Sequence, residues 1–154
     1  MKVFVLLAVA LVAYASADEA ARERAKAIKK ECKEQAGATD DDLKELKEKD
    51  ELLSPVNKKL MACVFSKNKI MQNNKFSKEG SMEVARELMS GRPESETKLK
   101  IAEQIADNCA KEIGNVETTG DEMAKLIFNC LKKQAKEYRK AMATVPNQDI
   151  SQSS

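Results

Sequence analysis

The 154-residue sequence has no histidine and no tryptophan, and its aromatic residues amount to 4%. Without His there is no Ser-His-Asp or Cys-His catalysis, no His-ligated zinc or haem, and no imidazole titrating near neutral pH. An enzyme here would have to work with carboxylates, lysines or thiols. There is no long Lys/Arg block and few rings to stack on bases, so no nucleic-acid partner is expected. The sequence contains no Asn-x-Ser/Thr triplet, no internal repeat and no linker-like stretch. At this length, one domain is expected.

What is present begins with a targeting signal. Met1 and Lys2 give a short basic start, Val3 to Val12 an apolar run, and Ala15-Ser16-Ala17 small residues where a signal peptidase reads. That order predicts a secretory leader over residues 1–17, cleaved after Ala17. The apolar run is about half of the ~20 residues a bilayer-spanning helix needs, and charge begins at Asp18. No stable membrane insertion is therefore expected. The mature chain carries 26 basic and 25 acidic side chains, with Lys interleaved among Glu and Asp as on solvated helix faces.

The remainder reads as six helices. Ala21, Ala25, Ile28 and Cys32 fall on one face of a first helix over about 18–36, which ends before Gly37. Thr39 and Asp42 approximate a capping box that opens a short polar helix whose apolar residues are Leu43 and Leu46. Asp40, Asp41 and Asp42 form the densest acidic cluster, placed where acids favour a helix dipole. Ser54-Pro55 starts a third helix with Val56, Leu60, Cys63 and Val64 on one face. Residues 67–78 read as a loop. A fourth helix spans about 81–89, with Met82, Ala85, Leu88 and Met89 inward, stopped by Gly91 and Pro93.

The fifth helix, about 94–113, repeats Ala102, Ile105, Ala106, Cys109 and Ile113 at helical spacing. Thr119 and Glu122 form a capping box for the sixth, whose stripe is Met123, Ile127, Cys130, Leu131 and Tyr138. The ordered domain is expected over residues 18–142, and a polar C-terminal tail over 143–154.

Four cysteines in a secreted chain predict two disulfides. Each sits on the apolar face of a different helix, so the bridges would staple helices together. Three pairings are open to four cysteines, and spacing alone does not choose among them. Zinc sites favour close Cys pairs, and no Cys-x-x-Cys occurs, so no metal site or cofactor is expected.

Leu60-Met61-Ala62-Cys63-Val64-Phe65, Ala106-Asp107-Asn108-Cys109 and Ala124-Lys125-Leu126-Ile127-Phe128-Asn129-Cys130 give the cysteines a recognisable setting. With the helix-loop-helix character of Asn68 to Gly80, the mature chain resembles insect odorant-binding proteins of the pheromone/general odorant-binding family, in the four-cysteine Minus-C subgroup. The family typically has six cysteines; here the second position falls at Lys59 and the fifth near Asp121, two cysteines that pair with each other in that family. The resemblance implies the pairings Cys32–Cys63 and Cys109–Cys130 and an all-α, six-helix domain around an apolar cavity. It also implies a function: carriage of small hydrophobic molecules in sensillum lymph, haemolymph or another secreted fluid.

A carrier's apolar side chains line a void instead of filling it. Six mature methionines offer an adaptable lining, and the expected ligand-contacting set is Met71 and Phe76 beside the loop, Met82, Leu88 and Met89 on the fourth helix, Ile105 on the fifth, and Met123, Ile127 and Phe128 on the sixth. Tyr138 offers a hydroxyl to a ligand oxygen, and Val145 would reach the mouth if the tail folds back. The chain is expected to act as a monomer or weak dimer. The alternative is a secreted helical signalling or interaction protein with a filled core.

Overall fold

In a computed structural model of the chain, residues 2–144 are described, with side chains from Glu19 to Ala141. Six helices run in order: α1 (Lys2–Ala36), α2 (Asp40–Glu48), α3 (Pro55–Lys67), α4 (Lys78–Met89), α5 (Ser95–Ile113) and α6 (Gly120–Thr144). Helix α1 continues back through the stretch read as a leader, so its start is earlier than the expected Asp18. The tail expected over 143–154, Val145 included, lies outside the described residues beyond Thr144.

The helix starts follow local chemistry. Thr39 caps α2 with both arms of a capping box: its hydroxyl accepts from Asp42 N at 3.3 Å, and the Asp42 carboxylate accepts from Thr39 N at 2.7 Å. Ser54 caps α3, with Pro55 in the first turn. Helix α4 starts three residues before the expected Ser81, because Ser77 caps it by accepting from Gly80 N at 3.1 Å. Glu94 stands outside α5 in a left-handed conformation, φ 61°.

The expected loop between α3 and α4 holds a small antiparallel hairpin, β1 (Met71–Gln72) with β2 (Lys75–Phe76). Met71 faces Phe76, and Gln72 faces Lys75 across a two-residue turn. Asn73 and Asn74 both have positive φ, 52° and 57°, the requirement of the tight turn that matches strand twist. The hairpin presses on α4 through Gly80, where an added Cβ would lie 1.9 Å from the carbonyl oxygen of Lys69. Only glycine fits there.

Two disulfides join helices in pairs: Cys32–Cys63 ties α1 to α3, and Cys109–Cys130 ties α5 to α6. These are the pairings implied by the family resemblance. The core gathers on the inner face of α6, where Met123, Ala124, Ile127 and Phe128 meet Ile113 from α5, Phe65 from α3 and Ile70 and Met71 at the hairpin. Leu52 closes that core from the segment before α3, with its N–H donated to Asn129 Oδ1 at 2.8 Å. Among the described residues, no helix is long and apolar enough to cross a membrane.

Candidate functional site

A cleft of about 340 Å³ opens among α1, α2, α3 and α4, bordering the packed core, with which it shares Ile70. Each wall comes from a short helical repeat. Helix α1 supplies Ala21, Ala25 and Ile28, the face whose periodicity continues to Cys32. Helix α2 supplies Leu43 and Leu46, α3 supplies Leu60, Met61 and Val64, and α4 supplies Val84 and Leu88; Ile70 adds to the floor. Two of the α1 side chains are single methyl groups, and they stand where longer groups would fill the space.

Four ties set the spacing of the walls. Cys32–Cys63 joins α1 to α3. Asn57, 1% exposed, joins α3 to α2 by donating from Nδ2 to the Asp42 carbonyl at 3.1 Å and to Glu45 Oε2 at 3.3 Å. Arg24 and Glu87 form an ion pair that joins α1 to α4 across the mouth. Lys67 and Glu31 add a second α1–α3 link, 2.8 Å long.

Four polar side chains reach the cleft: Arg24, Lys29, Asn68 and Glu87. All other lining groups are apolar. Beside this wall, the hydrogen bond from Lys33 holds the Asp40 carboxyl below its ordinary value. Hydrogen bonds from the Thr39 backbone and then its side chain do the same for Asp42. Both charges sit at the N-terminus of α2 and stabilise the helix that carries Leu43 and Leu46. The site contains no nucleophile–base pair, and among the described residues no cluster of His, Cys, Asp or Glu could hold a metal ion.

Of the residues expected from sequence to contact ligand, Leu88 lines this cleft; it is 44% exposed at the rim. Met71, Met82, Met123, Ile127 and Phe128 are buried, and Met71, Met123, Ile127 and Phe128 belong to the packed core. Phe76 and Ile105 pack on that core from outside, and Met89 is half-buried on α4. The Tyr138 hydroxyl donates to Gln104 Oε1 and so links α6 to α5. Val145 lies outside the described residues. The lining from α1, α2 and α3 was legible in sequence as apolar faces, but helical spacing reads the same for a filled core as for a cavity wall. The usable signal was the pairing of small Ala21 and Ala25 with long side chains on the facing helices.

The PBP/GOBP family profile matches residues 15–134, which span all four walls of the cleft and both disulfides. The chain belongs to this family. Among solved structures, it is similar to an odorant-binding protein from Drosophila melanogaster, dmelOBP28a, at 30% identity and a TM-score of 0.63. The likeness covers 79% of this chain and 98% of that one. No curated protein matches the sequence. This odorant-binding family member carries two helix-to-helix bridges, and both lie within the matched residues.

Proposed function

We propose that this protein is a secreted carrier that binds small hydrophobic molecules in the α1–α4 cleft and solubilises them in an extracellular fluid. The observation that carries this reading is an apolar cleft of about 340 Å³ maintained beside a core that is otherwise filled. That volume lies at the low end of the roughly 300–1,000 Å³ typical of small-molecule sites. At a water's share of ~30 Å³ it takes about ten non-hydrogen atoms, the scale of a volatile or a medium-chain lipid. Burial of apolar ligand surface supplies the affinity, about micromolar, and the scarcity of polar groups makes discrimination among similar apolar ligands weak. Membership of the PBP/GOBP family and the odorant-binding neighbour support the same class.

The test is a fluorescence titration of the oxidised mature protein with an environment-sensitive apolar dye, followed by displacement with medium-chain alcohols. Saturable, displaceable binding is expected. Met61→Trp fills the cleft from α3 and should weaken dye binding at least tenfold, whereas Met123→Leu in the packed core should leave it unchanged. Loss of binding in the second variant but not the first would move the site to the α5–α6 core.

A further inference from the structure

The rim of the cleft carries unbalanced charge. Glu87 is the one acidic lining group, and it is already engaged by Arg24. Lys29 lines the same cleft and has no ion-pair partner among the described residues. Asn68 spends its amide N–H on the Val64 carbonyl, 2.9 Å away. Lys29 acts at longer range on the Asp40 carboxyl, which Lys33 already hydrogen-bonds. The charge lining the apolar space, Arg24 and Lys29 against Glu87, is net positive.

The Arg24–Glu87 pair is also a divider. A recess of about 320 Å³ beside Ala20 and Ser90 shares both residues with the cleft. A smaller recess of about 110 Å³, floored by Ile28 and Val84, shares them as well. That smaller recess adds Lys67 and Lys69 against Glu83, and Lys67 is committed to Glu31. Three cavities meet at one ion pair, so whatever opens the pair joins them.

We infer that Arg24 and Lys29 select amphiphiles with a carboxylate at one end of an apolar chain, the carboxylate replacing Glu87 on Arg24. This rests on the carrier reading above and names its ligand class. A guanidinium presents a planar fork that matches a carboxylate in two parallel hydrogen bonds. Arg24 meets Glu87 through a single Nη2–Oε2 contact, so a ligand carboxylate that takes both arms of the fork replaces that bond and adds one. The Arg24 and Glu87 side chains are 56% and 33% exposed, so the displaced Glu87 regains water without leaving a buried charge. Lys29 adds a second attraction without giving up a contact ion pair, since Asp40 keeps its hydrogen bond from Lys33. An alcohol of the same chain length leaves the ion pair shut and finds only Asn68. An ammonium meets Arg24 and Lys29 as like charges, with Glu87 already taken.

Displacement of the apolar dye by decanoate, 1-decanol and decylamine at pH 7.4 tests this on the mature protein and on Arg24→Gln, Lys29→Gln and Glu87→Gln. All three substitutions are at the surface and leave the helical spectrum as a check on folding. Decanoate should displace the dye at a concentration at least tenfold lower than the other two. The Arg24→Gln/Lys29→Gln double variant should erase that preference, read as the ratio of decanoate to 1-decanol displacement within the same variant, so that any change in wall spacing cancels. Glu87→Gln, which frees Arg24, should raise the same decanoate to 1-decanol ratio several-fold. Equal displacement by the three probes, or a preference that survives the double variant, overturns the inference and leaves the carrier reading intact. Dye that never binds overturns the carrier reading itself.

Discussion

Lys58 on α3 and Glu122 on α6 form an ion pair 2.6 Å long, beside Lys59 and Asp121, at or near which the family resemblance implies the two cysteines of a third bridge. The two helices still meet where the covalent tie is missing. Glu122 is drawn into this pair instead of completing a capping box. Thr119 Oγ1 accepts from Glu122 N at 3.4 Å, but the carboxylate does not return to the Thr119 N–H. An exposed ion pair re-forms after each opening and restrains the unfolded chain hardly at all, whereas a disulfide removes unfolded-state entropy.

Replacing both neighbours, Lys59→Cys with Asp121→Cys, should therefore give a third disulfide. The expected gain is about 2–4 kcal/mol, the ordinary range for such bridges, seen as a rise in denaturation midpoint that reductant reverses. Thiol titration of the oxidised double variant checks the chemistry first. Two persistently free thiols would mean that α3 and α6 do not present these positions to each other.

Gly80→Ala should destabilise the protein by at least about 2–3 kcal/mol, a large effect for one methyl group. The added carbon would sit 1.9 Å from the Lys69 carbonyl oxygen, which is backbone and cannot swing aside as a side chain would. Relief requires α4 to move off the hairpin, and α4 carries Val84 and Leu88 into the cleft. Urea unfolding should show the loss, and dye affinity should fall with it. Arg86→Ala, at an exposed position on the same helix, serves as the control for helix propensity alone.

The two disulfides should differ in what they protect. Each closes a loop worth about 3–4 kcal/mol in the chain-entropy model, given separations of 31 and 21 residues. Cys63 is half-buried, while Cys109 and Cys130 are 0% and 2% exposed, so a mild reductant should open Cys32–Cys63 first. Alkylation and peptide mapping at partial reduction read that order. Cys32–Cys63 also fixes the spacing of two cleft walls. The Cys32→Ala/Cys63→Ala variant should lose dye affinity at a temperature where it remains folded. Under the same conditions, Cys109→Ala/Cys130→Ala should keep it.

Helices were readable from sequence because their signals are local. Thr39 with Asp42, Ser54 before Pro55, and the 21-25-28-32 face each lie within a few turns, and each forms as expected. The hairpin was not readable, because two strands of two residues show no alternation and Asn73-Asn74 reads equally well as any loop. The early start of α4 was missed for the same reason: Ser77 is an unremarkable serine until its hydroxyl is seen at Gly80 N. The cleft was missed for a deeper one. Met123 and Ile127 on α6 and Leu60 and Val64 on α3 have the same spacing and chemistry, yet the first pair fills space and the second borders a void. Which of the two occurs depends on the size of the facing side chains, and that depends on tertiary placement.

Stability should be flat across neutral pH and fall away only at the extremes. Hydrogen bonds hold four carboxyls below their ordinary values: Lys33 on Asp40, the Thr39 backbone on Asp42, Lys136 on Asp50 and Lys58 on Glu122. Each contributes stability that is fully present above its unfolded value, 3.8 for the aspartates and 4.5 for Glu122, and is lost as pH falls through the lower folded value. Lys78 runs the other way. Its hydrogen bond to Asp107 raises it above 10.5, so its contribution is complete below that pH and disappears as pH rises through the folded value. With no histidine in the chain, nothing among these groups titrates between pH 8 and 6. Urea midpoints and dye affinity should both hold steady across that interval, with the midpoint declining below about pH 4.5. A several-fold affinity change between pH 8 and 6 would require a titrating group that neither the cleft nor its supporting ion pairs contain, and would place the control of release outside α1–α4.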